Sequence, residues 1–318
     1  MSIREPETFL TLTVAATNQV ADDVVELELR DPSGADLPEW LPGSHIDVLA
    51  GDIVRQYSLS GSRTDRGVWR VAVLLESGGR GGSRWIHGLT PGDRISVAGL
   101  RNHFALEDAP EYLFIAGGIG ITPIVPMIES VAATGKPWQL VHIGRNEKRL
   151  PYSAEIEARH PGHVRRWFVE ASGRPSVGDL ISQLDPRATV YCCGPEEMMR
   201  EAESQGTATG IDVRVERFVP KAPAADAGDD HPFEVELVES GMTLVVPADR
   251  TILDVVTEAG VPVLSSCAEG TCGSCETEVV DGLVDHRDSI LSEAEQKANQ
   301  VMFVCCSRAQ GDRLVLRL

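Results

Sequence analysis

No hydrophobic run in this sequence reaches the roughly 20 residues that a membrane-crossing helix needs, so no membrane is expected among its partners. Positive charge is scarce too: 29 Lys and Arg stand against 48 Asp and Glu, a net charge of −19. That balance excludes nucleic acid, whose phosphates are met by clustered cations. A signal peptide is lacking, so a reducing cytoplasm is expected and disulfides are not. There is also no second C-x2-C knuckle, which argues against the paired-knuckle layout of structural zinc sites.

What the chain does have is a four-cysteine pattern. Cys267, Cys272 and Cys275 follow the spacing C-x4-C-x2-C within C-A-E-G-T-C-G-S-C, and 29 residues separate Cys275 from Cys305. Three thiolates in one loop and a fourth on a returning segment match a plant-type [2Fe–2S] cluster. Gly270 and Gly273 suit a tight loop whose N–H groups approach the sulfurs. Cys305 is preferred to its neighbour Cys306 because an extended strand with alternating side chains presents only one of them to the cluster.

With 318 residues and 42% hydrophobic content the chain is long enough for two or three cores. Its acid is uneven: residues 221–318 hold 18 acidic and 7 basic side chains, net −11, as against net −8 for residues 1–220. So acidic a segment suits a positively charged partner surface.

From Leu10 to about Gly99 short alternating apolar runs (24–29, 45–49, 56–59, 69–75 and 94–97) are separated by Gly and Pro clusters, the signature of an antiparallel β-barrel. It contains R-Q-Y-S, Arg55 to Ser58, which supplies a cation for a phosphate, an aromatic surface and a hydroxyl, the groups a flavin mononucleotide requires. Gln56 lies within this motif. The turn G-R-G-G-S ends in Gly81, Gly82 and Ser83, whose N–H groups could cradle that phosphate, with Ser83 as helix cap and ligand together.

Between Glu111 and Phe218 strands at 112–116, 138–144, 164–169, 189–193 and 213–218 alternate with helices near 123–134, 153–159, 177–184 and 195–206, which predicts a doubly wound parallel sheet. The first strand runs into G-G-I-G-I-T-P, placing Gly118 and Gly120 in the first strand-to-helix turn, where pyrophosphate meets a helix N-terminus. Thr122 is expected to cap that helix and Pro123 to start it. The generic dinucleotide fingerprint fails: Pro123 stands in place of the third glycine, and Arg145 in place of the acid after the second strand. At the fourth strand's end come Cys193, Gly194 and Pro195, followed by Met198. Residues 220–232, P-K-A-P-A-A-D-A-G-D-D-H-P, read as a linker, and beyond them a hairpin at 233–238 and 243–246, a helix at 252–259 and a final strand at 313–318 are expected.

These motifs together resemble the phthalate dioxygenase reductase-like family, which joins the flavin and nicotinamide domains of the ferredoxin–NADP reductase superfamily to a C-terminal plant-type ferredoxin. The resemblance spans nearly the whole chain. It rests on R-x-Y-S at Arg55, Tyr57 and Ser58, on G-x-G-x-x-P at 118–123, on C-G-P at 193–195, and on V-C-C-S-R-A at 304–309. It implies an antiparallel β-barrel FMN domain (1–107), a doubly wound α/β NAD(P)-binding domain (108–221), a linker (222–232) and a β-grasp [2Fe–2S] ferredoxin domain (233–318). It also implies that Thr122 lies beside the flavin ring edge and that Phe218 covers the ring until nicotinamide displaces it. Lacking an added adenine-binding loop, the chain is expected to hold FMN rather than FAD. NADH is the expected donor, although Arg145 could hold the 2′-phosphate of NADPH. The implied function is an NADH-dependent reductase that passes electrons through FMN and the cluster to an oxygenase, Rieske-type or haem, from a monomeric protein; the alternative is an electron carrier that does not oxidise nicotinamide.

Overall fold

The computed structural model describes residues 9–50, 53–79, 81–221 and 230–318; most of the expected linker, residues 222–229, lies outside them. Two compact units emerge, Met1–Glu216 and Arg217–Leu318. Among the described residues no helix is long and apolar enough to cross a membrane.

The first unit opens with β1 (Leu10–Ala21), β2 (Val24–Arg30), β3 (His45–Ala50), β4 (Ile53–Ser58), β5 (Trp69–Leu74), the short helix α1 (Gly82–His87) and β6 (Arg94–Arg101). The strands form one antiparallel sheet in the order β4-β3-β6-β1-β2-β5, and a bridge from Leu59 to Val71 links the two edges. Alternation explains its core. Leu12 and Val14 on β1, Leu27 and Leu29 on β2 and Ile46 and Val48 on β3 all turn inward and are at most 1% exposed. β1 runs over Leu10–Ala21, where the apolar pattern predicts no separate strand.

The same unit continues with β7 (Tyr112–Gly117), a 3-10 turn (Gly118–Ile121), α2 (Ile124–Ala132), β8 (Trp138–Gly144), α3 (Ser153–Arg159), β9 (Val164–Phe168), α4 (Val169–Ser172), α5 (Val177–Ile181), β10 (Thr189–Cys193), α6 (Glu196–Thr209) and β11 (Asp212–Glu216). All five strands are parallel, in the order β11-β10-β7-β8-β9. A strand buried on both faces must be apolar at every position, and the two-residue period sorts its side chains into two cores. Phe114, Ala116, Tyr191 and Cys193 pack under α2, whereas Leu113, Ile115, Val190 and Cys192 pack with Val177, Met199 and Ala202 on the other face. The strand order reverses between β7 and β10, so a crevice opens at their carboxyl ends, the usual ligand position in such sheets.

The second unit contains β12 (Phe233–Leu237), β13 (Met242–Val246), α7 (Ile252–Glu258), β14 (Glu276–Asp281), β15 (Val284–Asp285), α8 (Glu293–Ala298), β16 (Val301–Phe303), β17 (Arg308–Ala309) and β18 (Arg313–Leu316). Its main sheet has the order β13-β12-β18-β14-β16, with β12 and β18 parallel, and β15 pairs with β17. Capping boxes start both helices, Thr251 with Asp254 and Ser292 with Glu295. β14, β15, β16 and α8 fall where the sequence predicts no element; β15 and β16, of two and three residues, are too short to show a period.

Four expectations need correction. Ser83 does not cap α1; the cap position is Gly81, at φ 101, and the Ser83 hydroxyl instead accepts the Glu76 N–H at 3.0 Å. Thr122 does not cap α2, because the 3-10 turn carries helical backbone through Thr122, and its hydroxyl donates back to the Ile119 carbonyl at 3.0 Å; Pro123, expected to start the helix, holds the cap position. β11 stops at Glu216, leaving Phe218 outside the strand and 46% exposed. Finally, Cys305 and Cys306 lie in a turn after β16, closed by the Cys306 and Ser307 N–H groups on the Phe303 carbonyl at 3.2 and 3.0 Å, so strand alternation does not choose between them.

Candidate functional site

R-x-Y-S sits on β4, whose register against β3 pairs Arg55 with Val48 and Ser58 with His45. Arg55 and Tyr57 therefore share one face of the strand, and Gln56 and Ser58 the other. The Gln56 amide donates to Asp47 at 2.9 Å, which ties β4 to β3. A Cβ on buried Gly82 would stand 2.8 Å from the Arg55 Cγ, so the glycine-rich turn and the arginine are in direct contact only because Gly82 has no side chain. Burial pushes the Tyr57 phenol up to about 12, and it stays protonated at neutral pH.

The two nucleotide motifs touch as well. A Cβ on Gly120 would be 2.2 Å from the Cys193 carbonyl oxygen and one on Gly117 2.4 Å from Pro195 Cδ. Glycine is required at Gly120 by that close backbone approach. G-x-G-x-x-P and C-G-P thus form one surface at the carboxyl ends of β7 and β10. Arg145, one residue past β8, is exposed, and its side chain has no hydrogen-bond or ion-pair partner among the described residues, while Arg149 is paired with Asp23 at 2.8 Å.

One residue at the site was not found in the sequence. Glu216 ends β11 directly opposite Cys193 in the parallel register, and Ser58 Oγ donates to its Oε2 at 3.5 Å. This contact joins R-x-Y-S to β11, the neighbour of the strand that ends in C-G-P. Glu216 keeps some solvent contact, yet dense surroundings push its carboxyl up to about 8, opposed weakly by the Ser58 hydrogen bond. Burial, with Glu216 beside it, also holds the Cys193 thiol well above its usual range. No motif marks Glu216: β11, D-V-R-V-E, is charged at three of its five positions, and nothing local sets the last of them apart.

A raised carboxyl has a definite sign in stability. The folded protein holds the Glu216 proton more tightly than the unfolded chain, so this stabilisation is complete below about 4.5 and is lost as pH rises through about 8, a change on the order of 5 kcal/mol. Glu216→Gln, which mimics the protonated acid, is expected to melt with wild type at pH 5 and above it at pH 9. A Tm difference equal at both pH values would remove the assignment.

In the second unit Cys267, Cys272, Cys275 and Cys305 are all at least 92% buried. The Glu269 and Thr271 N–H groups point at Cys267 Sγ at 3.3 and 3.4 Å, and the Ser274 hydroxyl lies 2.8 Å from Cys272 Sγ. The Val304 N–H reaches the Cys275 carbonyl, which brings Cys275 beside the Cys305 turn. Gly270, at φ 71, turns the loop in the left-handed region, and a Cβ there would meet Cys306 Sγ at 2.6 Å. The neighbouring Cys267 thiol, and then burial, push the Cys272 thiol up. The Cys267 and Cys272 thiols stand in contact, and as thiolates they would need a positive charge such as iron between them. Among the described residues no three Cys, His, Asp or Glu side chains converge as ligands of one ion.

Comparison with known proteins agrees with this division. Residues 114–204 match the oxidoreductase NAD-binding domain, and residues 235–310 the 2Fe-2S iron-sulfur cluster binding domain. The solved phthalate dioxygenase reductase, described as a modular structure for electron transfer from pyridine nucleotides to [2Fe–2S], is 34% identical, with a TM-score of 0.68 and 98% of each chain covered. The chain belongs to the phthalate dioxygenase reductase-like family. Within this family it is 39% identical to the phenoxybenzoate dioxygenase subunit beta of Ectopseudomonas oleovorans over 97% of both chains. An intact type IV self-sufficient cytochrome P450 monooxygenase is 40% identical with a TM-score of 0.89, and there the match covers 98% of this chain but only 41% of the other. The chain is an oxidoreductase with a nicotinamide-binding domain and a 2Fe-2S domain.

Proposed function

We propose that this protein is the NADH-dependent reductase component of an oxygenase system, with FMN bound on a closed barrel (1–107), NADH on the α/β domain (108–221) and a [2Fe–2S] cluster in a β-grasp ferredoxin domain (233–318) beyond a 222–232 linker. The observation that carries it is the convergence, within the first unit, of R-x-Y-S, the glycine turn and C-G-P through Gly82, Gly120 and the Ser58–Glu216 contact. Arg55, with the N–H groups of Gly81, Gly82 and Ser83, would hold the FMN phosphate; Tyr57 would flank the flavin, and Gln56 and Ser58 its ring edge. Gly118, Gly120, Pro123, Gly194, Pro195 and Met198 would shape the nicotinamide nucleotide surface, with Thr122 and Phe218 next to the flavin. Cys267, Cys272, Cys275 and Cys305 would hold the cluster. When bound, these groups take hydride from nicotinamide and release electrons one at a time to an outside acceptor. The protein contributes position: hydride transfer needs no side-chain acid or base, only the two rings in register. Glu216 and Ser58 keep a proton and a hydroxyl at the place where the flavin and nicotinamide motifs meet.

The acceptor is an oxygenase of Rieske or haem type, since dioxygenase and cytochrome P450 names both occur among the relatives. A monomeric protein of the cytoplasm, where NADH is abundant, fits this role. The intact contact between Gly120 and Cys193 favours nicotinamide oxidation over a bare carrier function. Protein prepared anaerobically is expected to contain one FMN and one [2Fe–2S] and to reduce ferricyanide with NADH; released flavin running as FAD, iron near zero, or no activity with either nucleotide would each count against the proposal.

NADH is expected to be preferred, with the exposed Arg145 guanidinium stacking on adenine or meeting pyrophosphate. Steady-state kcat/KM decides this: an NADPH preference that reverses in Arg145→Glu would make Arg145 a 2′-phosphate ligand.

A further inference from the structure

His142 lies in β8, fully buried, in a strand whose only other polar side chain, Gln139, is exposed. A buried imidazole must satisfy both nitrogens, and here both are satisfied by groups outside its strand. Nε2 lies 2.8 Å from the carbonyl oxygen of Gly118, and Nδ1 meets the Ser153 hydroxyl. A carbonyl only accepts, so Nε2 carries the hydrogen and Nδ1 accepts from Ser153 Oγ. Burial holds the imidazole down to about 4, so this neutral tautomer persists at physiological pH.

The Gly118 carbonyl belongs to the nucleotide turn. Gly118 adopts φ 53, which swings its peptide out of line with β7. Across a trans peptide the C=O and the next N–H point in opposite directions, so a carbonyl tied inward to His142 turns the Ile119 N–H outward. Gly118 itself borders open space: among the described residues, its chain neighbours and its own turn aside, no heavy atom lies within 4 Å of where a Cβ on it would stand.

The other arm of the imidazole is also anchored. Ser153 is buried at the start of α3, and its predecessor Tyr152 holds φ 64, a left-handed conformation that a residue with a side chain rarely adopts. The Tyr152 hydroxyl donates to buried Glu26 on β2 at 2.8 Å, and Leu150 Cδ2 fills the space a Cβ on Gly144 would occupy. The strap from Leu150 to Ser153 is therefore fastened to the flavin sheet at one side and to His142 at the other.

We propose that His142 is a positioning residue of the nicotinamide nucleotide site: held by Ser153, it fixes the Gly118–Ile119 peptide so that the Ile119 N–H is offered to the dinucleotide pyrophosphate. The inference rests on the NADH reading above and names the device that shapes its turn. His142 touches no substrate; it acts through the peptide, so its loss weakens nucleotide binding and leaves the electron-transfer chemistry alone.

The test is steady-state ferricyanide reduction by the flavin-loaded protein, with flavin content and dithionite reduction of the flavin measured alongside. His142→Ala is expected to raise KM for NADH roughly ten- to a hundred-fold, the consequence of removing the side-chain donor that orients the half-buried Gly118 carbonyl. kcat at saturation should stay within twofold, with flavin content unchanged. His142→Gln, whose amide can donate where Nε2 did, is expected to restore most of the affinity. Ser153→Ala keeps the imidazole but frees it to turn, and is expected to raise KM at least threefold; this variant carries the test if His142→Ala does not fold. A KM within twofold of wild type in His142→Ala or Ser153→Ala, or a kcat that falls as far as KM rises, overturns the inference. A wild-type protein that binds neither NADH nor NADPH overturns the nicotinamide reading itself.

Discussion

A Cys272→Ser variant is expected to lose the [2Fe–2S] absorption and electron paramagnetic resonance signals completely while NADH still reduces its flavin. Cys272 is 1% exposed, lies against the Cys267 thiol and has the Ser274 hydroxyl 2.8 Å from its sulfur, so no water or other donor can take its place at an iron. Serine offers a hard oxygen that stays protonated where four soft thiolates are required. The reason flavin reduction survives is the partition of cores. Cys275 and Cys305 pack with Val235, Leu237, Phe303 and Leu316, none of which belongs to the cores of the first unit. Loss of flavin reduction together with the cluster would show that the two units depend on each other. The companion Cys306→Ser is expected to keep the cluster spectrum, and its disappearance would transfer the fourth ligand from Cys305 to Cys306.

A single methyl group at Gly120 is expected to have an effect nearly as large. Gly120→Ala drives a Cβ to 2.2 Å from the Cys193 carbonyl oxygen and 2.6 Å from its carbon, and both are backbone atoms of a central strand that cannot swing aside. The turn must move instead, opening the crevice between β7 and β10. A cost of roughly 3 kcal/mol, in the upper range for overpacking, corresponds to a loss of about two orders of magnitude in kcat/KM for NADH. Gly78→Ala is the control, since nothing lies within 4 Å of its added methyl, and it should behave as wild type. Equal kcat/KM in the two variants would mean that the turn does not shape the nucleotide site.

The sequence was most legible where chemistry needs rare residues at fixed spacing or where a strand is long enough to repeat. The four cysteines, the glycine-proline turns and the five parallel strands are of this kind. Less was legible where the deciding contact is tertiary. Ser83 looked like a cap because serines before apolar runs commonly cap helices, but the hydroxyl closes the loop onto Glu76 instead. Thr122 failed in the same way, because a 3-10 turn extends the helical backbone one turn further upstream. Glu216 and His142 carry no local signal. Glu216 is one of three charged residues in β11 and His142 a polar residue in a mostly apolar strand, and only the parallel register that sets Glu216 opposite Cys193, or the turn that brings Gly118 to His142, gives each its partner.

The parallel pairing of β12 with β18 sets the order in which the molecule can be completed. Val235 and Leu237 from the unit's first strand pair in register with Leu314 and Leu316 from its last, and all four are sealed from solvent. Nearly eighty residues must therefore leave the ribosome between the two halves of this pairing, and loop-closure entropy is spent before the contact repays it. The first unit, whose strands all precede Arg217, needs nothing made later to close its cores. During synthesis the nicotinamide and flavin half is thus ready first, and the thiols of the iron–sulfur loop wait, unshielded, until residues as far as Leu316 have emerged.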